Sequence, residues 1–180
     1  MAQFEDSYKN KVAALLRVIN VTRSLRDDNI PCQIEEGLFL GSIGAARNKV
    51  ALKSSKINHI LTVANALQPA FPNEFLYKII PVMDKEDTNL RQYFDECFNF
   101  MDKAKSEGGG VLVHCMVGRS RSVTIVVAYL MKEYGMSLSQ ALEHVKRKRP
   151  VAAPNFGFTL QLQEFERSLK GGCEEREERA

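Results

Sequence analysis

The stretch VLVHCMVGRSRSVTIVVAYLM, residues 111–131, joins two apolar segments through a short polar loop. Its first three residues form an uninterrupted aliphatic run of the kind found in fully buried strands. Its last nine residues, 123–131, are almost entirely apolar over more than two helical turns and predict a buried helix. A strand, a loop and a helix in this order are typical of a parallel sheet covered by helices, so the stretch indicates an α/β fold.

Strands and helices alternate along the rest of the chain. A Glu-Glu-Gly turn at 35–37 predicts a small hairpin over 32–41. Further strands are expected at 59–64 and 75–82, and further helices at 89–106, 137–148 and 155–169. We therefore predict a central mixed, mostly parallel sheet flanked by helices on both faces, with an added N-terminal helix.

The length of 180 residues suits one compact domain and is too short for two. Two aspartates and Pro31 interrupt the helical pattern of the N-terminal segment near residue 29. We therefore predict a basic N-terminal extension over 1–28, one domain over 29–170 and a charged tail over 171–180.

Composition excludes several classes of protein. Hydrophobic residues at 44% and charged residues at 26% are typical of globular chains and exclude disorder throughout. No apolar run approaches the roughly 18 residues of a membrane span, and no apolar signal core is present, so we expect no transmembrane segment and a cytoplasmic or nuclear location. A net charge of +3 predicts no nucleic-acid partner. The four irregularly spaced cysteines indicate reduced thiols.

The loop between the central strand and helix carries a candidate nucleophile. Backbone N–H groups and the positive end of the helix converge there and would attract an oxyanion. The same groups would stabilise the Cys115 thiolate and so lower the pKa of Cys115. Gly118 lets the backbone approach a ligand, and Arg121 offers a planar fork for two phosphoryl oxygens. Ser122 is positioned to donate its hydroxyl to the sulfur, and His114 is expected to orient the loop.

The segment HCMVGRSRS, residues 114–122, resembles the His-Cys-x5-Arg-Ser signature of cysteine-dependent protein phosphatases, specifically their dual-specificity branch. The stretch AYLM at 128–131 and several residues between 149 and 166 are similar to mitogen-activated protein (MAP) kinase phosphatases. With IEEGLFLGS at 34–42 and DKEDTNL at 84–90, these motifs resemble the small plant-type members. The resemblance spans about residues 30–170 and implies the dual-specificity phosphatase fold, with 29–170 as the catalytic domain.

The resemblance also assigns roles to individual residues. Asp84 matches the family's general acid, with Glu86 and Asp87 as nearby alternatives. Asn155 matches a residue that supports the phosphate loop, and it is equally suited to cap the helix that follows Pro154. The residues expected to bind the phosphoryl group are Met116, Val117, Gly118, Arg119, Ser120 and Arg121.

The implied reaction has two steps. Cys115 attacks phosphorus while Asp84 protonates the leaving oxygen, and water then hydrolyses the phosphocysteine with Asp84 as the base. This chemistry needs no cofactor. The three histidines are scattered without metal-ligand spacing, so we also expect no metal site.

The substrate is less determined than the chemistry. The chain has no Trp and so lacks the Trp-Pro-Asp acid loop of tyrosine-specific phosphatases, which implies a shallower site. The resemblance to dual-specificity phosphatases implies that this site accepts phosphotyrosine and phosphoserine or phosphothreonine, with MAP kinases as the leading substrate. One alternative is a phosphoinositide or other non-protein phosphate, because Arg119 places a base inside the loop, although Met116 and Val117 are apolar. Another is a phosphoprotein-binding module without turnover, which the presence of both Cys115 and Arg121 disfavours.

The N-terminal extension carries five basic residues and no acid between 9 and 26. Its apolar residues recur at helical spacing, with Val12, Ile19 and Leu25 as widely spaced anchors, and predict a basic amphipathic helix. Such a helix can pack on the domain, lie on an anionic membrane or enter the groove of calmodulin. Domain packing is the default expectation, and calmodulin is the partner that the charge pattern favours most.

Overall fold

The computed structural model describes residues 11–12, 14–16, 18–19, 22 and 26–177, with side chains as far as Gly171. Within this part of the chain, one mixed sheet contains β1 (Cys32–Glu35), β2 (Leu38–Gly41), β3 (Ile57–Val63), β4 (Leu76–Ile80) and β5 (Gly110–His114). The strand order is β1-β2-β5-β3-β4. The β1–β2 pair is antiparallel and the other pairs are parallel, so β5 lies in the centre and its carboxyl end leads into the candidate loop.

Helices connect and cover these strands: α1 (Ile43–Arg47), α2 (Lys49–Ser54), α3 (Phe94–Ser106), α4 (Arg121–Tyr134), α5 (Leu138–Lys148) and α6 (Phe156–Glu177), with a 3-10 turn at Arg91–Tyr93 before α3. The first helix after the candidate loop, α4, is buried from Arg121 to Met131. Its burial explains why residues 123–131 are almost entirely apolar.

The side chains of β5 alternate between two apolar clusters. Val111 and Val113 lie in the larger cluster, to which α3, α4, α5 and α6 contribute. Leu112 lies in a smaller cluster with residues of α1 and α2. Because successive strand residues point to opposite faces, helices on both faces require a strand that is apolar throughout. The predicted sheet with helices on both faces is confirmed.

Two parts of the fold differ from the sequence-based expectation. Helices α1 and α2 were not predicted; they are short and begin at side-chain caps, where Ser42 accepts from the N–H of Gly44 and Asn48 from that of Ala51. Helix α6 continues beyond the predicted end at residue 169 to Glu177, through Gly171 and Gly172 and into the segment predicted as a charged tail. A glycine inside a helix costs only about 1 kcal/mol, and the Glu and Arg residues that follow favour helix.

The described residues of the N-terminal segment, from Lys11 to Asp27, are helical. Their apolar side chains are exposed, with Ile19 at 51% and Leu15 at 60%. Leu25 and several of the basic residues lie outside the described residues, so the added helix as a whole stays a prediction. No helix in the described ranges is long and apolar enough to cross a membrane.

Candidate active site

The loop between β5 and α4 depends on a glycine in the left-handed region. Gly118 has φ +66°, and a Cβ atom there would lie 2.4 Å from the carbonyl oxygen of Gly41 at the end of β2. No other residue type fits this position without displacing the backbone of β2. The turn directs the backbone N–H of Gly118 at the sulfur of Cys115, 3.2 Å away.

Cys115 lies at the base of this loop and is 1% exposed. Its Sγ also accepts a hydrogen bond from Ser122 Oγ at 3.3 Å. Burial of the thiol raises its pKa, but the Arg121 charge, the Ser122 hydroxyl and the backbone N–H groups of Ser122 and Arg119 lower it by more. The pKa of Cys115 therefore lies below the usual value of a thiol, as a nucleophilic cysteine requires.

Arg121 begins α4 and is 9% exposed. Its terminal nitrogen donates to the carbonyl of Val82 at 3.2 Å, which fixes the direction of the side chain. Its Nε has no hydrogen-bond partner among the described residues and lies 3.3 Å from Asp84 Oδ2. A buried donor without a hydrogen-bond partner costs free energy. Close to the Cys115 sulfur, this N–H group can instead donate to an oxyanion of a bound ligand.

Asp84 follows β4 and reaches the candidate loop. Its Oδ1 accepts hydrogen bonds from Ser120 Oγ at 2.7 Å and from Asn155 Nδ2 at 2.9 Å. The alternatives Glu86 and Asp87 are exposed. Among the three acids of this segment, the contacts with Ser120, Arg121 and Asn155 favour Asp84 as the acid.

Asn155 makes both of the contacts that its sequence position suggests. Its Oδ1 accepts from the backbone N–H of Phe158 at 2.9 Å and so caps α6. Its backbone N–H donates to Ser120 Oγ at 3.2 Å, and its side-chain amide donates to Asp84. The residue thus links the start of α6 to the loop and to the acid.

His114 ends β5 beneath the loop and is buried. Its Nδ1 lies 3.1 Å from the carbonyl oxygen of Cys115 and its Nε2 lies 2.8 Å from Thr62 Oγ1. Burial lowers the pKa of His114 to about 4, with the Arg121 charge acting in the same direction and the Cys115 carbonyl against it. A neutral ring must therefore donate from Nδ1 and accept from Thr62, a partner that sequence reasoning missed.

Sequence reasoning also missed Arg149. Its place in the basic run 146–149 suggests a solvated side chain, but Arg149 is 6% exposed. Its Nε donates to the Gly118 carbonyl at 2.7 Å and a terminal nitrogen donates to the Val117 carbonyl at 3.0 Å. The only local signal is the following Pro150, which ends α5 and takes Arg149 out of the helical periodicity.

The remaining loop residues define the outer part of the site. Met116 packs beside an apolar cluster that contains Ile43 and Leu67. Val117 is half-buried, and Arg119 is exposed. Among the described residues, no group of three or more His, Cys, Asp or Glu side chains is arranged to hold a metal ion.

The geometry combines a buried cysteine whose pKa is lowered, donors aimed at its sulfur and the carboxyl group of Asp84 beside them. Such a set can transfer a phosphoryl group from an ester to sulfur and then to water. The site residues predicted from the sequence, Cys115, Arg121, Ser122, Asp84, His114 and Asn155, lie at one edge of the sheet.

Comparisons with known proteins identify the family to which the chain belongs. Residues 38–168 match the family described as "Dual specificity phosphatase, catalytic domain". Dual specificity protein phosphatase 1 of Arabidopsis thaliana is 61% identical over 168 residues, which cover 93% of this chain and 85% of the relative. Dual specificity protein phosphatase 1B of Arabidopsis thaliana is 58% identical over 141 residues, which cover 78% of this chain and 84% of the relative.

The fold of this chain is also similar to solved structures of dual specificity phosphatases. The crystal structure of a mouse putative dual specificity phosphatase complexed with zinc tungstate matches with a TM-score of 0.77 and 32% sequence identity. The match covers 81% of this chain and 91% of the mouse chain. With the family match spanning most of the chain, these similarities show that it belongs to the dual specificity protein phosphatases, which are phosphoric monoester hydrolases.

Proposed function

We propose that this chain dephosphorylates phosphotyrosine and phosphoserine or phosphothreonine through a phosphocysteine intermediate. The Cys115 thiolate attacks phosphorus, the bond from phosphorus to the ester oxygen breaks, and Asp84 gives its proton to that oxygen. Water then attacks phosphorus and the phosphorus–sulfur bond breaks. Asp84 takes a proton from the water, and inorganic phosphate leaves.

The observation that carries this proposal is the surroundings of the Cys115 sulfur. The Gly118 N–H and the Ser122 hydroxyl both donate to it, at 3.2 and 3.3 Å. These donors stabilise the thiolate before attack and again when it leaves phosphorus. Arg121 supplies positive charge to the equatorial oxygens, and Asp84 is held on the neighbouring Ser120.

The substrate class that we propose is the doubly phosphorylated activation loop of MAP kinases. The support comes from the resemblance of the loop, the AYLM stretch and the C-terminal helices to MAP kinase phosphatases. The absence of Trp from the chain adds to it, since a shallow site accepts both types of phosphorylated residue. We further propose a cytoplasmic or nuclear location, which imaging of the tagged full chain would test.

The direct test follows the loss of each phosphate from a protein bisphosphorylated at a Thr-x-Tyr sequence. The wild-type chain should remove both phosphates, and Cys115→Ser should remove neither. Cys32→Ser, at a half-buried thiol remote in sequence from the loop, is the matched control. Asp84→Asn should slow turnover about 10²-fold to 10⁴-fold, whereas Asp87→Asn at an exposed acid should have little effect.

Other outcomes favour the alternative functions. A phosphoinositide assayed beside the phosphoprotein tests the first of them, because Arg119 is the exposed base of the loop. Cleavage of the lipid alone would leave the loop chemistry in place and make Arg119→Ala the next variant. Tight binding of the phosphoprotein without turnover would favour a binding module.

We also propose calmodulin as a partner of the N-terminal segment. The support is the exposure of its apolar residues, among them Val18 at 62% and Ile19 at 51%, in a stretch with basic residues and no acid. Exposed apolar side chains in a basic helix fit the Met-rich groove of an acidic partner better than they fit packing on the domain.

Titration of the full chain with calcium-loaded calmodulin tests this partner. Val12→Asp with Ile19→Asp should weaken binding at least tenfold, because each change places a charge in the apolar contact. Val50→Asp, at a residue that is 79% exposed on α2, is the matched control and should bind as the wild type does. Equal binding by all three chains, or binding that persists without calcium, would contradict the proposal.

A further inference from the structure

We propose that the start of α6 holds the acid loop, residues 83–91, in its working position, and that Gln161 is a positioning residue for Asp84. This inference rests on the proposed function, in which Asp84 is the general acid. It concerns how the acid is kept within reach of the leaving oxygen.

Gln161 makes three hydrogen bonds to the far end of the acid loop. Its Oε1 accepts from the backbone N–H groups of Leu90 and Arg91 at 2.8 and 2.9 Å. Its Nε2 donates to the carbonyl of Thr88 at 2.8 Å. One side chain therefore satisfies three backbone groups at the end of the acid loop and the start of the 3-10 turn, where no hydrogen bond within a helix or strand satisfies them.

The middle of the acid loop rests directly on the backbone of α6. A Cβ atom at Gly157 would lie 1.9 Å from the carbonyl oxygen of Glu86. The two backbones approach so closely that no side chain fits between them. Gly157 thus marks a second contact, independent of Gln161, between the helix and the loop.

Asn155 completes the set at the near end, where its amide donates to Asp84 Oδ1 at 2.9 Å. Positions 155, 157 and 161 of the chain therefore meet positions 84, 86 and 88–91 in order along the loop. Contacts at the start, middle and end of a segment remove most of its conformational freedom. The acid is held in place before the reaction, instead of being carried in by a closing loop.

The test compares two esters that differ in their need for an acid. Dinitrophenyl phosphate releases an anion that needs no proton, whereas a phosphotyrosine peptide releases a phenol with an ordinary pKa of about 10. Because Asp84 also acts as the base when water hydrolyses the phosphocysteine, a step common to both esters, the comparison uses kcat/KM, which depends only on the steps up to release of the leaving group. Gln161→Ala should lower kcat/KM for the peptide about tenfold to 10²-fold and change kcat/KM for the dinitrophenyl ester less than about twofold. Asp84→Asn should show the same selective loss on the peptide.

Gln163→Ala is the matched control, because Gln163 lies on the same helix and is exposed. Gly157→Ala should show the same preference for the activated ester as Gln161→Ala. Gln161→Glu, which keeps the two accepted bonds and loses the one donated to Thr88, should fall between Gln161→Ala and the wild type. Hydrogen exchange at the Leu90 and Arg91 amides should be faster in Gln161→Ala than in the wild type, and unchanged in Gln163→Ala.

Equal losses on the two esters, or unchanged exchange at Leu90 and Arg91, would overturn the inference. A wild-type chain that cleaves neither ester, or whose cleavage survives Cys115→Ser, would instead contradict the proposed function. The two failures are therefore distinguishable.

Discussion

Arg149 and Asp28, 121 residues apart in the chain, form a bidentate ion pair with nitrogen–oxygen distances of 3.0 and 2.6 Å. The same guanidinium donates to the carbonyls of Gly118 and Val117 in the candidate loop. Asp28 is itself anchored to the domain, because its carbonyl accepts from Ser42 Oγ at 2.7 Å. One buried side chain thus connects the end of the N-terminal segment to the loop that holds Cys115.

Removal of the Asp28 charge should lower the stability of the fold. Asp28→Asn leaves the buried Arg149 without its counterion, and we expect the free energy of unfolding to fall by about 1–3 kcal/mol, less than for a fully buried pair because Asp28 is a third exposed. Glu143→Gln, in an exposed pair with Arg147, should cost less than about 0.5 kcal/mol. Urea unfolding measures both values, and equal losses would contradict the structural role of the Asp28 pair.

Ser120 in the loop and Ser122 at the start of α4 should have separable effects. Ser122→Ala removes a hydrogen bond to the thiolate, which is worth about 1.5–3 kcal/mol and should raise the pKa of Cys115 by about 1 to 2. Ser120→Ala removes a hydroxyl that contacts Asp84 and Asn155, so the pKa of Cys115 should stay unchanged. The pH dependence of Cys115 alkylation by iodoacetamide measures this pKa. The assignment fails if both variants shift the curve alike.

Alanine at Gly118 should be far more harmful than alanine at another left-handed glycine. Gly118 and Gly135 have φ values of +66° and +63°, but only the Cβ at Gly118 would meet other atoms, at 2.4 Å from the Gly41 carbonyl. Gly135→Ala should cost about 1–2 kcal/mol and keep full activity. Gly118→Ala should cost more and abolish turnover. Thermal unfolding and phosphatase assays compare the two, and an active Gly118→Ala chain would refute the loop geometry.

The stability of the fold should decrease in mild acid. The pKa of His114 is about 4 in the folded chain and near 6.5 when unfolded, so the unfolded state alone takes up a proton between these values. The free energy of unfolding should therefore decrease as the pH falls from 6.5 to 4, by up to about 3 kcal/mol from this residue. Burial also lowers the pKa of His59, which adds an effect of the same sign.

His114→Gln should flatten part of this pH dependence, because glutamine does not titrate. Urea unfolding at pH 7 and pH 4.5 gives the difference for each chain. An equally steep loss in His114→Gln would show that other groups cause it. Full stability of the wild type at pH 4.5 would show that His114 is not held neutral.

Local patterns were enough to predict the main architecture. The apolar run at 111–113, the polar loop and the apolar helix after it follow from burial alone, since a central strand and its helix must avoid water on all sides. The candidate site residues Cys115, Gly118, Arg121 and Ser122 likewise lie within one short segment of the sequence. Residues this close in sequence are brought together by any strand-loop-helix unit.

Other parts of the fold had weaker signals. Helices α1 and α2 are only five and six residues long, too short to show a periodicity. Nothing in their immediate sequence distinguishes Asp84 from Glu86 and Asp87. The resemblance favours Asp84, and its contacts with Ser120, Arg121 and Asn155, which lie far away in sequence, support that choice. The three acids differ little in exposure, so the choice among them depends on where the loop lies against α6.

Hydrophobic periodicity and a strand-to-helix turn are local properties, so the sheet class, the oxyanion-binding loop and Cys115 as its candidate nucleophile could all be predicted from short stretches of sequence. The residues that hold this loop and Asp84 are visible only in the three-dimensional packing. Thr62, Arg149 and Gln161 act on partners 31 to 73 residues away. Such hydrogen bonds follow from how buried elements pack and where their polar groups must be satisfied, and no local pattern records them.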